Sequence, residues 1–123
     1  MEVDGITEKI IGCAISVHKQ LGPGLLESIY ESALNIELNK SGLELERQKR
    51  IDVRYDGIII GKHRLDLLVE NKVVVELKSV ERFDSVFQAQ LLSYLKLGGY
   101  PIGLLINFNS RMLKNGIKRM TIQ

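Results

Sequence analysis

The sequence predicts an α/β fold in which helices pack against a mixed central sheet. Three observations favour this class. Apolar residues recur at helical spacing up to about residue 40, then alternate with polar residues from about residue 43 to 79, and return to helical spacing near residue 85. The largely apolar run that follows, at 101–108, is typical of a strand buried on both faces.

Bulk composition indicates a soluble globular protein. The 123 residues are the size of one ordinary domain, which we expect to span 1–123, and 45% of them are hydrophobic and 26% charged. The sequence shows neither a run of about 18 apolar residues nor a signal peptide, so we expect no membrane contact and a cytoplasmic location. The single Cys13 is interpreted as a core residue. A net charge of +2 permits an anionic partner without requiring one.

Two helices are predicted at the start of the chain. The first covers 4–20, and the break at Leu21-Gly22-Pro23-Gly24 ends it. The second covers 25–40 and ends at Ser41-Gly42. Both carry apolar residues on one side, as helices that cover a sheet do.

Three strands are predicted next, in an antiparallel meander. Asp56-Gly57 is a strong hairpin signal between a strand over 43–55 and a strand over 58–69. A second tight turn at Glu70-Asn71 leads into a third strand over 72–79. The first strand alternates apolar and charged residues, as a half-buried strand does.

A helix and two further strands complete the prediction. Asp84 is placed to cap a helix over 85–97, which ends at Gly98-Gly99. The strand, helix and strand within 72–108 should form a right-handed parallel crossover. A basic tail then ends in an edge strand over 117–122.

Charged residues occupy positions in the second and third strands that buried strands rarely give them. Asp66 interrupts an apolar run, and Glu76 and Lys78 close another. Because strand side chains alternate between faces, Glu76 and Lys78 share one face, and antiparallel pairing can bring Asp66 to it. Two carboxylates, with the backbone carbonyl of Leu77, suit a hard divalent ion such as Mg²⁺ or Mn²⁺.

Such an ion can activate water and neutralise charge that develops on phosphorus. Lys78 would then hold or deprotonate the attacking water, or stabilise the transition state. Glu27 can reach the site from the second helix, while Gln90 and Tyr94, four apart on the third helix, can line its entrance. His63 falls one residue out of phase with Asp66, so we expect it to face away and to be structural.

A second interpretation of these charges stays open at this stage. They can form a polar cross-strand network on a solvated face, in which Asp66 pairs with Arg64 or Lys78 and Glu76 pairs with Lys78. The sequence has no Cys/His cluster with zinc spacing, no phosphate-binding Gly-rich loop and no recognisable Ser/His/Asp arrangement.

Several segments resemble one known family. Gly24-Leu25-Leu26-Glu27-Ser28-Ile29-Tyr30 is similar to the signature of the bacterial and archaeal GxxExxY proteins. The resemblance extends through LDLLVENKVVVELKSV, AQLLSYLKLGGY and GLLINFN, and so covers nearly the whole chain. That family is placed in the PD-(D/E)xK nuclease-like superfamily, which implies a restriction-endonuclease-like αβββαβ core, here with an extra N-terminal helix.

The resemblance also implies roles for residues. Asp66 takes the place of the motif's aspartate, Glu76 its second acid and Lys78 its lysine, while Glu27 matches a helical glutamate of many members. Gln90 and Tyr94 resemble the Q-x-x-x-Y element of RecB-like nucleases. The chain departs from the pattern in two places, with Leu65 for the motif's proline and Phe87 where many members have histidine.

Two functional hypotheses follow. The first is a nuclease dependent on Mg²⁺ or Mn²⁺ that hydrolyses phosphodiester bonds in DNA, with RNA as the less favoured alternative substrate and a homodimer as the assembly considered. The second is a nucleic-acid-binding or protein-interaction module on the same fold that does not cleave. In the first, phosphates would be contacted by basic residues of the first strand and the tail: Arg47, Lys49, Arg50, Arg54 and those within 111–119.

Overall fold

The computed structural model describes residues 2–122, which form three α-helices, five strands and one short 3₁₀ helix. The α-helices are α1 (Val3–Leu21), α2 (Glu27–Lys40) and α3 (Ser85–Gly98). The strands are β1 (Leu45–Tyr55), β2 (Ile58–Val69), β3 (Val73–Lys78), β4 (Ile102–Asn107) and β5 (Ile117–Thr121). The 3₁₀ helix, Leu113–Gly116, was not predicted from the sequence.

The sheet is mixed and follows the chain, in the order β1-β2-β3-β4-β5. β3 and β4, which α3 connects, pair in parallel, and the other neighbouring strands pair antiparallel. Both tight turns form where the sequence predicts them, and the central residues Asp56, Gly57, Glu70 and Asn71 all have positive φ angles of 50–77°. That conformation matches the right-handed twist of a two-residue hairpin. The predicted α/β class, meander and parallel crossover are therefore confirmed.

Helices cover the sheet on both faces, and each face has its own apolar core. On one face α1 and α2 pack through residues such as Ile10 and Leu34 against Leu67, Val75 and Leu77. On the other face α3 packs Leu91 and Leu95 against Ile51, Leu65, Val74 and Leu105. Because β3 and β4 lie between the two layers, their side chains are apolar in both directions, apart from Glu76, Lys78 and Asn107 in the carboxyl-terminal halves of the strands.

The third helix lies close to the sheet because β4 has no side chain at one position. A Cβ atom added at Gly103 would lie 2.9 Å from a methyl carbon of Leu91. The start of α3 is fixed as predicted, since the Asp84 carboxylate accepts a hydrogen bond from the Val86 N–H at 3.0 Å. These contacts set where α3 presents its side chains to the edge of β2.

The described helices include none with the length and apolar character needed to span a membrane.

Candidate active site

The candidate site lies where β2 and β3 separate. Their regular pairing runs only from Leu67 opposite Val75 to Val69 opposite Val73. Beyond that point each strand offers a carboxylate to the backbone of the other. The Asp66 N–H donates to Oε2 of Glu76 at 2.8 Å, and the Leu77 N–H donates to Oδ2 of Asp66 at 2.8 Å. The side chains thus satisfy backbone groups that a continued ladder would have paired.

This arrangement brings Asp66 and Glu76 together, as the strand pairing predicts. Glu76 is only 7% exposed, and its carboxyl group is a hydrogen-bond neighbour of Asp66. Within residues 2–122 neither carboxylate forms an ion pair with Arg64 or Lys78. The alternative of a salt-bridged network on a solvated face is therefore not the arrangement that the strands adopt.

The electrostatics of the pair follow from burial and mutual repulsion. Burial, together with the charge of Asp66, raises the pKa of Glu76 to about 8. Burial also raises the pKa of Asp66, with contributions from Glu31 and Glu27, while the Leu77 N–H and Lys78 act in the opposite direction. Such a pair concentrates negative charge in a partly desolvated position, which a cation would relieve.

Lys78 lies at the end of β3, one strand position beyond Leu77, and is half-buried. Its Nζ stands 4.6 Å from the centre of the Phe87 ring on α3. Its positive charge opposes the rise in pKa of both Asp66 and Glu76, which places it within electrostatic reach of the pair. An aromatic face against an ammonium holds the group without neutralising it, so its charge stays available at the site.

Glu27 reaches the same edge of the sheet from the first turn of α2. Its Oε2 accepts a hydrogen bond from the Ser79 N–H at 3.2 Å, directly after β3. The Ser79 hydroxyl in turn donates to the Leu25 carbonyl at 2.6 Å. The loop before α2 and the end of β3 are thereby joined, and the Glu27 charge contributes to the raised pKa of Asp66.

Gln90 and Tyr94 lie one turn apart on α3. Tyr94 stacks on the ring of His63, with centroids 3.7 Å apart and planes 11° from parallel. Burial and the charges of Glu76 and Asp66 raise the pKa of Tyr94, so the phenol stays protonated beside the carboxylates. Gln90 is exposed on the same helix, one turn before Tyr94.

The prediction that His63 faces away from the site is wrong. Its Nε2 lies 3.0 Å from Oε1 of Glu76, on the side of the sheet that α3 covers. The error comes from an interruption of strand alternation at Asp66, because Leu65 packs under α3 whereas Leu67 packs under α1 and α2. Burial and the charge of Lys78 lower the pKa of His63, which favours the neutral imidazole.

Glu31 is a second residue that the sequence did not reveal as part of the site. It is buried on α2, where Oε2 pairs with Nε of Arg47 at 3.0 Å and Oε1 accepts from Nε2 of Gln48 at 2.7 Å. Arg47 is therefore held against α2 by this ion pair, while its side chain stays 41% exposed, and its contact with phosphates stays a prediction. The four-residue spacing from Glu27 was the available signal, because it places both acids on one side of the helix.

The donor set fits a hard divalent ion. Among residues 2–122 there is no group of three or more His, Cys, Asp and Glu side chains that would enclose a metal. The two carboxylates of Asp66 and Glu76 are nevertheless a donor set that Mg²⁺ commonly uses, since it keeps several waters and completes its shell with substrate phosphate oxygens.

Comparison with protein families agrees with this geometry. A family model described as the PD-(D/E)XK nuclease superfamily matches residues 4–120, whereas no curated protein and no solved structure matches the chain significantly. The narrower resemblance to GxxExxY proteins stays a prediction. Nucleases of the matched superfamily generally use divalent metal ions, and membership supports a nuclease-like function on nucleic acid. Because the match covers almost the entire sequence and the α/β architecture agrees with it, the chain belongs to the PD-(D/E)XK nuclease superfamily.

Proposed function

We propose that the protein is a metal-dependent nuclease that hydrolyses phosphodiester bonds in DNA. The observation that carries the proposal is the reciprocal contact of Asp66 and Glu76, each with its carboxylate on the backbone N–H of the opposite strand. It holds two oxygen donors side by side at the point where the sheet opens. Lys78 and Glu27 lie at the same edge, so acids and a cation converge from β2, β3 and α2.

The metal-binding residues we propose are Asp66, Glu76 and the backbone carbonyl of Leu77, for Mg²⁺ or Mn²⁺. A bound ion of this kind supplies an acidified water and neutralises charge on the phosphoryl group. The protein keeps the carboxylates in place before any ion binds, because Leu77 N–H and Asp66 N–H each fix one oxygen at 2.8 Å. Such preorganisation avoids rearrangement during the reaction.

Lys78, at the end of β3, supplies a positively charged ammonium group for catalysis. The Lys78 ammonium donates hydrogen bonds to the attacking water or to a nonbridging phosphate oxygen, where negative charge grows in the transition state. Phe87 limits the directions in which the side chain can turn, since the ammonium lies over its ring. Loss of the amine should therefore reduce turnover more than it reduces metal binding.

The remaining predicted residues position water and substrate. Glu27, from its place beside Ser79, would orient the attacking water or accept its proton. Tyr94 keeps its phenolic proton and can donate to a phosphate oxygen, while Gln90 lies outward, where a base edge or phosphate would pass. We propose DNA as the preferred substrate over RNA, a cytoplasmic location, and a homodimer that supplies more surface for a long substrate.

The test measures metal binding and cleavage separately. Wild-type protein should bind Mn²⁺, as followed by electron paramagnetic resonance, and should cut plasmid or single-stranded DNA with Mg²⁺ or Mn²⁺ but not with chelator. Asp66→Asn should lose both properties, since it removes a charged ligand. Lys78→Met should keep Mn²⁺ binding and lose at least about a hundredfold in cleavage rate, a loss of the size measured when one preorganised donor is removed.

Controls separate this result from general effects of charge. Glu8→Gln and Lys40→Met remove one exposed charge each from the helices, away from the opening of the sheet, and should leave both readouts unchanged. RNA of matching sequence decides the substrate preference. The opposite outcome is that no nucleic acid is cut under any metal condition, while Asp66→Asn and Lys78→Met still bind nucleic acid as wild type does. In that case the chain is a non-cleaving binding module.

A further inference from the structure

Beyond the candidate site, β1 and β2 continue as a two-stranded ribbon that no third strand from residues 2–122 joins. β2 pairs with β3 only through Leu67–Val69, whereas β1 and β2 pair with each other as far as Tyr55 opposite Ile58. We call residues 50–64 the β1–β2 arm. Its base rests on α3, through Ile51 in the apolar core and His63 on Tyr94. The rest of the arm extends away from the sheet.

One face of the arm is basic. Asp52 lies between Arg50 and Arg54, with carboxylate-to-guanidinium distances of 3.1 Å and 4.0 Å, so these three side chains project from the same face. Across the ribbon, Lys62 stands opposite Asp52 and Arg64 opposite Arg50, which adds two cations to that face. All four cations are exposed and only one acid lies among them, so the face is positively charged.

The tip of the arm is apolar and exposed. Tyr55, Ile58, Ile59 and Ile60 have 68%, 66%, 47% and 66% of their surface exposed. Four adjacent large apolar side chains at the end of a ribbon indicate an interaction surface, because soluble proteins rarely leave such a patch without a partner. The tip and the basic face together suit a partner with an anionic outside and an apolar interior.

Duplex nucleic acid has this combination of properties. A two-stranded ribbon fits the width of the major groove, where basic side chains reach phosphates and apolar ones contact thymine methyl groups. Apolar side chains, isoleucine among them, also enter between base steps in proteins that bend DNA. The arm begins next to the site, since Arg64 precedes Asp66 by two residues. From Asp66 to the tip at Ile58 the strand spans at most about 26 Å, at roughly 3.3 Å per residue.

We propose that the β1–β2 arm binds duplex DNA beside the bond to be cleaved, with its basic face on phosphates and its tip against base edges. The inference rests on the proposed nuclease function and assigns it a substrate form, the double strand. A partner protein or a second copy of the chain on the tip is the competing outcome, and the experiment below discriminates between them.

The experiment measures binding without cleavage. Wild-type protein in chelator is titrated against a labelled 30-base-pair duplex across a range of salt concentrations, with fluorescence anisotropy as the readout. Arg54→Gln/Lys62→Gln should lower affinity on the order of tenfold at 0.1 M salt and reduce the slope of log affinity against log salt by about two, since two phosphate contacts are lost. Ile58→Ser/Ile60→Ser should lower affinity by a similar factor without changing the slope, because no charge is removed.

Lys9→Gln/Lys40→Gln is the matched control, because it removes two exposed cations from α1 and α2 and should leave affinity and slope unchanged. Sedimentation of the tip variant gives its assembly state in parallel. The proposal is overturned if wild-type protein does not bind the duplex, if the arm variants bind it like wild type, or if the tip variant changes only the assembly state. Because binding is read in chelator, an inactive nuclease that still binds through the arm would contradict the proposed function alone.

Discussion

Among single residues, His63 departs most from its predicted role, because it lies in the candidate site. Its imidazole touches the Glu76 carboxylate on one side and the Tyr94 ring on the other. A hydrogen bond to one carboxylate oxygen, with stacking to hold the ring, restricts the directions in which Glu76 can turn. His63 is therefore a positioning residue for the proposed metal site.

Replacement of His63 tests that role. His63→Ala should weaken Mn²⁺ binding by about tenfold or more, because groups that orient a metal ligand commonly contribute factors of this size. His63→Gln retains a side-chain N–H within reach and should restore part of the affinity. The other histidine, His18, bonds the Ser110 carbonyl at 2.8 Å, so His18→Ala is the control and should bind Mn²⁺ normally. Unchanged Mn²⁺ affinity in His63→Ala would contradict the role.

Among the elements, the start of α2 gives the Gly24–Tyr30 signature a physical meaning. Tyr30 is fully buried, stacks on Phe108 with centroids 4.4 Å apart, and donates its hydroxyl proton to the Gly22 carbonyl at 2.6 Å. The hydroxyl oxygen of Tyr30 also accepts a hydrogen bond from the Leu25 N–H at 3.1 Å. One side chain thereby closes the loop that leads into the helix and sets where Glu27 begins it.

Tyr30→Phe should lower the free energy of unfolding by about 1–3 kcal/mol, since it keeps the stacked ring but removes two hydrogen bonds to the loop, each worth about 0.5–1.5 kcal/mol. Urea unfolding measures this. Tyr55→Phe removes the same hydroxyl from an exposed ring and should be neutral within about 0.5 kcal/mol. Equal stability of wild type and Tyr30→Phe would show that the hydroxyl does not hold the loop.

The elements also show what the sequence can and cannot predict. Turn residues and apolar periodicity are local signals, so the helices, both hairpins and the convergence of Asp66 with Glu76 were predictable. The interruption of strand alternation at Asp66 was not predictable, because it depends on two neighbouring strands at once. Gln48 adopts a φ of 53° opposite Asp66, and both β1 and β2 exchange faces there. Period-two counting across that point assigns His63 to the wrong face.

For the whole molecule, the site imposes a pH dependence on stability. In the folded protein the pKa of Glu76 is about 8, against an ordinary value of 4.5 for an unfolded chain. Between these values the folded state holds a proton that the unfolded state has released, so each rise in pH favours unfolding. The raised pKa of Asp66 acts in the same direction, while the lowered pKa of His63 acts oppositely below pH 6.5.

In the window from pH 6.5 to 8 the unfolded-state titration of His63 is over, so the pH dependence there belongs to the pair of carboxyl groups, with the pKa of Glu76 at about 8. In chelator, the free energy of unfolding should fall across it by at most about 1.4 kcal/mol per pH unit and level off above pH 8, as one proton is lost. Glu76→Gln has no such proton and should show a flatter profile.

Saturating Mn²⁺ should also flatten the wild-type profile, because an ion bound to both carboxylates replaces the proton and stabilises the folded state. Stability that rises with pH in chelator, or that Mn²⁺ leaves unaltered, would contradict a cation site at this pair. Urea titrations at fixed pH values, with and without the ion, measure both effects on the same protein.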